Sequence, residues 1–187
     1  MLNSSKVYWS REAFGPEGLV WTILATEKGV CRFMYPQDKL EDAAGWLERF
    51  KPGAALEENR ELIASLGVLE PLNDYFLGQQ VSFADVPLDM PGTPFQREVW
   101  SALRDIPYGE VRTYRDIAIA VDRPQAVRAV GTANGANPVP VIVPCHRVIG
   151  SNQTLVGYRG GLKIKDMLLR LEGVKPVEMS GHARFQF

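Results

Sequence analysis

Asn137-Pro138-Val139-Pro140-Val141-Ile142-Val143-Pro144-Cys145-His146-Arg147-Val148 is the stretch on which the reading of this 187-residue chain turns. Three prolines stiffen the approach to Cys145 and fix its backbone, the placement a nucleophile needs. The thiolate is the reactive form of cysteine, so a base must draw the proton away. The chain has two histidines. His182 stands in the C-terminal tail, which leaves His146 as the base in the body of the protein. Side chains of neighbouring residues in an extended segment point to opposite sides. Direct Cys145–His146 contact is therefore awkward, and a bridging water is the expected proton route. A base also needs an orienting partner. Glu172 is the candidate. It closes a helix expected over 162–172, with Ile164, Met167, Leu168 and Leu171 inward and Gly173 as the stop. A carboxylate there opposes the helix dipole by about 0.3–1 kcal/mol, and such breaches of local preference gather at functional positions.

Upstream, Thr93-Pro94-Phe95-Gln96 reads as a helix start with a capping box. Phe95, Val99, Leu103 and Ile106 form its apolar stripe, and Pro107-Tyr108-Gly109 stops it. Thr113-Tyr114-Arg115-Asp116 offers a second capping pattern. Pro124 opens a third helix, expected over 125–133. Two short helices across a tight turn at 121–124 resemble a helix-turn-helix. The second carries Ala126, Val127, Ala129, Val130 and Gly131, which cannot read base edges in a major groove. Small residues permit close approach to a backbone or a minor groove, and equally suit a plain helix pair in a core. Arg128 is the exception, suited to fill the space of an extruded base or to stand as a surface charge.

The first half reads as a small α/β unit. Residues 19–25 and 30–35 are β-prone runs joined by Glu27-Lys28-Gly29. Residues 7–9 and 81–83 are shorter candidates for strands. Residues 38–50 and 59–77 have helical spacing, with a restart expected at Pro71. Residues 85–92 read as a crossing segment between the halves.

Residues 1–93 carry 8 Lys+Arg and 14 Asp+Glu, net −6, and residues 94–173 carry 11 and 7, net +4. A basic second half suits an anionic partner such as DNA. No window approaches the ~18 apolar residues of a membrane span, and the N-terminus lacks the pattern of a signal peptide. Two cysteines, Cys31 and Cys145, are too few for a disulfide framework, so an intracellular, reducing setting is expected. That means cytoplasm in a prokaryote and nucleus in a eukaryote. No histidine precedes residue 146, which argues against a structural zinc site. Cys31 reads as a small apolar residue on a strand. The loop Gly157-Tyr158-Arg159-Gly160-Gly161 can cradle a phosphate or wall a flat ligand. Its spacing matches neither nucleotide-binding fingerprint, so no cofactor is expected.

Pro144-Cys145-His146-Arg147-Val148 resembles the active-site signature of the O6-alkylguanine-DNA alkyltransferases, the methylated-DNA–protein-cysteine methyltransferases. So do Arg128-Ala129-Val130-Gly131, Asn137-Pro138-Val139-Pro140, and Gly160-Gly161-Leu162 with Lys165, Leu168-Leu169 and Glu172-Gly173. Pro107-Tyr108-Gly109 and Tyr114 fit as well. The resemblance is close from 93 to 173 and loose before. It implies a ribonuclease-H-like α/β N-terminal domain, 1–92. It implies a mainly α C-terminal domain, 93–187, with a winged-helix-like helix-turn-helix. It further implies repair of double-stranded DNA by a monomer, without metal or membrane. The alkyl group of O6-alkylguanine, and of O4-alkylthymine, would pass once to Cys145. His146 would activate the thiol through water, oriented by Glu172, and Asn137 would hold the turn before the active-site strand. Tyr114 would rotate the phosphate and help protonate the departing guanine. Ala126, Ala129 and Gly131 would lie against the minor groove while Arg128 enters the base stack. The carbonyls of Cys145 and Val148 would read the guanine amine, and Pro140, Tyr158 and the Arg159 backbone would line the pocket. Arg159 departs from the small residue the resemblance leads one to expect.

A Cys-His-Glu hydrolase shares the triad logic but regenerates its thiol. A lesion-binding protein without chemistry needs no cysteine. A helix-turn-helix regulator needs a recognition helix with polar side chains, which this chain lacks.

Overall fold

The computed structural model describes residues 6–175, so the expectations for the tail, His182 included, lie outside the described residues. The chain divides into two compact units, Met1–Pro91 and Gly92–Phe187.

The first unit is built on a mixed four-stranded sheet in the order β3-β2-β1-β4. Strands β1 (Lys6–Phe14), β2 (Leu19–Thr26) and β3 (Gly29–Met34) are antiparallel neighbours, with Ile23 opposite both Ser10 and Phe33. β2 lacks polar alternation because both faces of the sheet are covered. On one face Trp21 stacks on Phe33 at 4.7 Å and Phe14 on Phe76 at 5.3 Å. On the other, Leu24, Val7, Cys31 and Met34 pack against Ala43 and Leu47. Cys31 is thus a buried core residue, and burial pushes its thiol up to about 12.

Several expectations are corrected here. The helix expected over 38–50 begins as a 3-10 turn, Leu40–Ala43, and continues as α1 (Ala44–Phe50). The helix expected over 59–77 is two helices, α2 (Arg60–Ser65) and α3 (Leu69–Phe76). The break falls at Gly67, whose φ of +70° suits glycine, while Pro71 sits in the first turn of α3, where a missing N–H costs little. Residues 81–83 form no strand, and Phe83 instead sets its ring 6.0 Å from Tyr75. The fourth strand is β4 (Ala55–Glu58), parallel to β1 and tied to it by the Lys6–Glu57 pair at 2.7 Å.

The start of residues 85–92 is fastened to β3. Val30 N–H donates to Pro87 O and Asp89 N–H to Val30 O, at 2.8 and 2.9 Å. Gly29 permits that approach, since a Cβ there would stand 2.4 Å from Pro87 O.

The second unit opens with α4 (Pro94–Arg104) and α5 (Tyr114–Ala120). Both begin with complete capping boxes, Thr93 with Gln96 and Thr113 with Asp116. α6 (Val127–Gly135) starts two residues later than expected, because Ala126 lies outside helical geometry at φ −90°, ψ 25°. The three helices pack on one another, and Trp100 of α4 donates to Ala133 O at 2.8 Å. A short parallel pair, β5 (Arg112–Thr113) and β6 (Val148–Ile149), and helix α7 (Leu162–Leu171) complete the unit.

Replacing Gly29 by alanine should push the segment around Pro87 off β3 and cost roughly 1–3 kcal/mol, read by urea unfolding.

Candidate active site

The chain approaches Cys145 through two consecutive three-residue turns. Ile142 N–H donates to Pro140 O at 2.9 Å around Val141, whose φ is +72°. That is a strained backbone for a β-branched residue. Cys145 N–H donates to Val143 O at 2.8 Å around Pro144, at φ −82° and ψ 62°. Asn137 holds the loop from inside. Its Nδ2 donates to Val143 O at 2.8 Å, and its Oδ1 accepts from Val139 N–H at 3.0 Å. The segment at the nucleophile is not extended, as the sequence suggested. Pro144 turns it into a 3-10 turn, Cys145–Arg147, before β6. The buried Pro140 lies in the same loop, bridged to Val143.

Cys145 is buried, and its thiol faces the Tyr158 hydroxyl at 3.8 Å. Burial pushes that thiol up. Hydrogen bonds from Asn137 and Tyr158 and the charges of Lys165 and Arg159 offset part of the rise. The resting group is therefore a protonated thiol that needs a base.

His146 is fully buried, and its Nε2 lies 2.7 Å from Glu172 Oε1. Burial lowers its basicity, and the Glu172 carboxylate offsets part of that, so the resting ring is neutral. Glu172 caps the C-terminal end of α7 and is itself buried. Arg147 reaches both carboxylate oxygens, Nε to Oε2 at 2.9 Å and Nη2 to Oε1 at 3.0 Å. Gly109 N–H donates to Oε2 at 3.1 Å. Burial alone would raise the Glu172 carboxyl, but the His146 hydrogen bond, the charge that ring carries when acid protonates it, and the Arg147 hydrogen bonds and charge outweigh it and hold it at about 2. The stop sequence after α4 thus also serves the site: Arg147 Nη1 donates to Ile106 O at 2.6 Å, and Tyr108 donates to Leu171 O at 3.1 Å.

Tyr114 is the first residue of α5. Burial first, and then the nearby Cys145 once it is a thiolate, raise its phenol to about 12, so it stays protonated. Gly131 of α6 lies against that ring, where a Cβ would stand 3.8 Å from Tyr114 Cδ1. Arg128 and Ala129 are exposed on α6, and Ala126, its N-cap, is half-buried. Val130, Ala133 and Asn134 face inward. Tyr158 is half-buried and Arg159 exposed. The carbonyls of Cys145 and Val148 already have donors here. Val148 N–H and Asn134 Nδ2, the latter at 3.5 Å, reach Cys145 O, and Lys165 Nζ reaches Val148 O at 2.6 Å.

Three residues of the site were missed by sequence reasoning in any named role: Arg147, Lys165 and Asn134. Lys165 is fully buried and, with Leu168 and Leu169, forms the buried face of α7. Ile164, Met167 and Leu171 are only half-buried, so the helix is turned from the expected face. Burial lowers the Lys165 amine to about 8. Among the described residues no group of three His, Cys, Asp or Glu side chains is placed to hold a metal.

The profile of the 6-O-methylguanine DNA methyltransferase DNA-binding domain matches residues 94–174. Over 178 residues the chain is 42% identical to an inducible methylated-DNA–protein-cysteine methyltransferase of Bacillus subtilis, covering 95% of this chain and 96% of the relative. The chain belongs to the methylated-DNA–protein-cysteine methyltransferase family. A member from Methanosarcina acetivorans is 48% identical over 141 residues, 75% of this chain and 82% of the relative. Within the family, the crystal structure of Mycobacterium tuberculosis OGT in complex with DNA superposes with a TM-score of 0.73 at 37% identity. It covers 88% of this chain and 92% of that one. These family structures share the α/β first unit and the helical second unit described above.

The depressed Glu172 carboxyl links folding to pH. Its folded value lies below the unfolded value of 4.5, so its contribution to stability is complete above that value. It should be lost as pH falls from about 4.5 to about 2. Thermal unfolding across that range should show the loss, and Glu172→Gln should flatten that component.

Proposed function

We propose that the protein repairs duplex DNA by moving the alkyl group of O6-alkylguanine onto Sγ of Cys145, once per molecule. The observation that carries this reading is a buried, protonated thiol in one turn with a histidine that is held by an ionised glutamate, in a chain of this family. His146 takes the thiol proton through a water. The thiolate attacks the alkyl carbon, a carbon–sulfur bond forms, and the carbon–O6 bond breaks with its electron pair on guanine. The protonated Tyr114 phenol supplies a proton to the departing base. The thioether product resists water, so the thiol is not regenerated.

A base within a duplex cannot reach a buried thiol, so it must be flipped, at a cost of a few kcal/mol. The α5–α6 pair serves as a helix-turn-helix laid along the minor groove, with Ala126, Ala129 and Gly131 permitting close approach. Exposed Arg128 takes the place of the extruded base. Asn137 keeps the turn before Cys145 closed. Pro140, Tyr158 and the Arg159 backbone wall the pocket, and the free lone pairs of the Cys145 and Val148 carbonyls read the guanine amine. The same pocket takes O4-alkylthymine. The sheet order and connections of the first unit support a ribonuclease-H-like reading. The protein acts as a monomer without cofactor, inside the cell, in the cytoplasm of a prokaryote or the nucleus of a eukaryote.

Incubation with a duplex carrying O6-methylguanine should add one methyl to Cys145, located by peptide mass spectrometry. An unmodified Cys145, or methyl on Cys31, would overturn the proposal. Cys145→Ser should still bind DNA but transfer nothing. Arg128→Ala should slow transfer from a paired lesion by roughly tenfold or more, with a smaller deficit at a mispaired one.

A further inference from the structure

Arg147 is a buried cation whose three guanidinium nitrogens are all engaged. Nε and Nη2 grip the two oxygens of Glu172, and Nη1 donates to Ile106 O at 2.6 Å. The Tyr108 ring lies against it, 5.9 Å from Cζ to centroid. Guanidinium donates and never accepts, and it is not deprotonated in proteins. Gly109 N–H, also a donor only, meets Oε2 at 3.1 Å. Two Arg147 donors, the Gly109 N–H and the guanidinium charge beside them all favour the ionised form, so the group is held as a carboxylate. A carboxylate only accepts. The proton in the 2.7 Å contact with His146 must then sit on Nε2. A neutral imidazole carries one proton, so its lone pair is left on Nδ1.

We propose that Arg147 is a positioning residue for the proton transfer: by fixing Glu172 as a pure acceptor, it locks His146 in the Nε2–H tautomer and makes Nδ1 the base that serves the Cys145 thiol. The inference rests on the reading of His146 as the base. It assigns the nitrogen and the residue that chooses it.

The charged and titratable groups about the ring come from two places. Cys145 and Arg147 flank it on its own turn, and Lys165 and Glu172 approach from α7, while Tyr108 lies against Arg147 rather than the ring. Arg147 and Lys165 both disfavour the imidazolium, and Glu172 favours it. None of these groups except Glu172 touches Nε2 in the contacts above, so the tautomer follows the state of Glu172. A salt bridge with a merely structural role would leave the ring's proton distribution untouched when it is cut. That difference makes the inference testable apart from stability.

Nitrogen NMR of histidine-labelled protein, with His182→Ala to assign the second ring, reads the tautomer directly. In the wild-type protein Nε2 should carry the proton, and a dominant Nδ1–H form would overturn the inference. Arg147→Met should mix the tautomers and slow methyl transfer to Cys145 by roughly tenfold or more. The acidic limb of its rate–pH profile should move upward, since Glu172 loses the cation that keeps it ionised. A wild-type spectrum and profile in that variant would overturn the assignment. Arg147→Lys keeps the charge but loses the two-pronged grip, and it decides the matter should the methionine variant not fold. A detectable Nδ1–H fraction with slower transfer supports the lock, and an unchanged spectrum and rate defeat it. Mass spectrometry of the wild-type protein keeps the two readings apart. Methyl on Cys145 with the wrong tautomer defeats this inference alone, whereas no methyl on Cys145 defeats the proposed function while the spectrum still judges the tautomer.

Discussion

A carboxylate buried at the wrong end of a helix holds the second unit together. Glu172 stands where the dipole of α7 repels it and where water cannot solvate it. Taking such a charge out of water costs several kcal/mol unless donors replace the solvent. His146, Arg147 and Gly109 supply them from two separate segments of chain. The cost of the charge and the geometry of the site are therefore one matter. The end of α7, the turn after α4 and the turn carrying Cys145 must all be in place for the carboxylate to be tolerated. Once they are, His146 has no freedom to rotate away.

The two cysteines show what such a network adds. Both thiols are buried and both are raised by that burial. Cys31 packs among Val7, Leu24 and Met34, with no histidine in its cluster, and is inert as a small apolar side chain. Cys145 sits beside a neutral histidine and under a tyrosine hydroxyl. Its high resting proton affinity protects a single-use group from stray electrophiles, because the thiol attacks poorly until its proton is taken.

Much of this was legible in the sequence, and the reasons for what was not are physical. The capping boxes at Thr93 and Thr113 could be read because they are local, made by residues three apart. Cys145, His146 and Glu172 could be read because their chemistry is scarce in the chain. β4 could not, since Ala55-Leu56-Glu57-Glu58 carries no β-branched residue and is a strand only because β1 offers it an edge. The face of α7 was misjudged because Lys165 looks like a surface residue until two carbonyls, Val148 O and Val156 O, are found waiting for its amine. Arg147 was hidden for the same reason. A long cation reads as exposed when its partners lie 25 and 41 residues away.

Four breaches of local preference in the second unit gather in one small region. A glutamate caps a helix C-terminus, a β-branched Val141 has positive φ, and Lys165 and Arg147 are buried. Each is unfavourable by itself, and each is tolerated because a neighbour compensates for it. The strain at Val141 is held by the Asn137 side chain, which closes the loop on both sides of it. The Lys165 charge is held by carbonyls of the segments that bracket the pocket, and Arg147 and Glu172 neutralise each other. A core selected for stability alone has no reason to concentrate such features, since apolar residues of like volume would serve as well or better. Their convergence on Cys145 is what a site built for one irreversible reaction requires: a nucleophile whose backbone is held in place and a base whose ring is oriented by a fixed carboxylate.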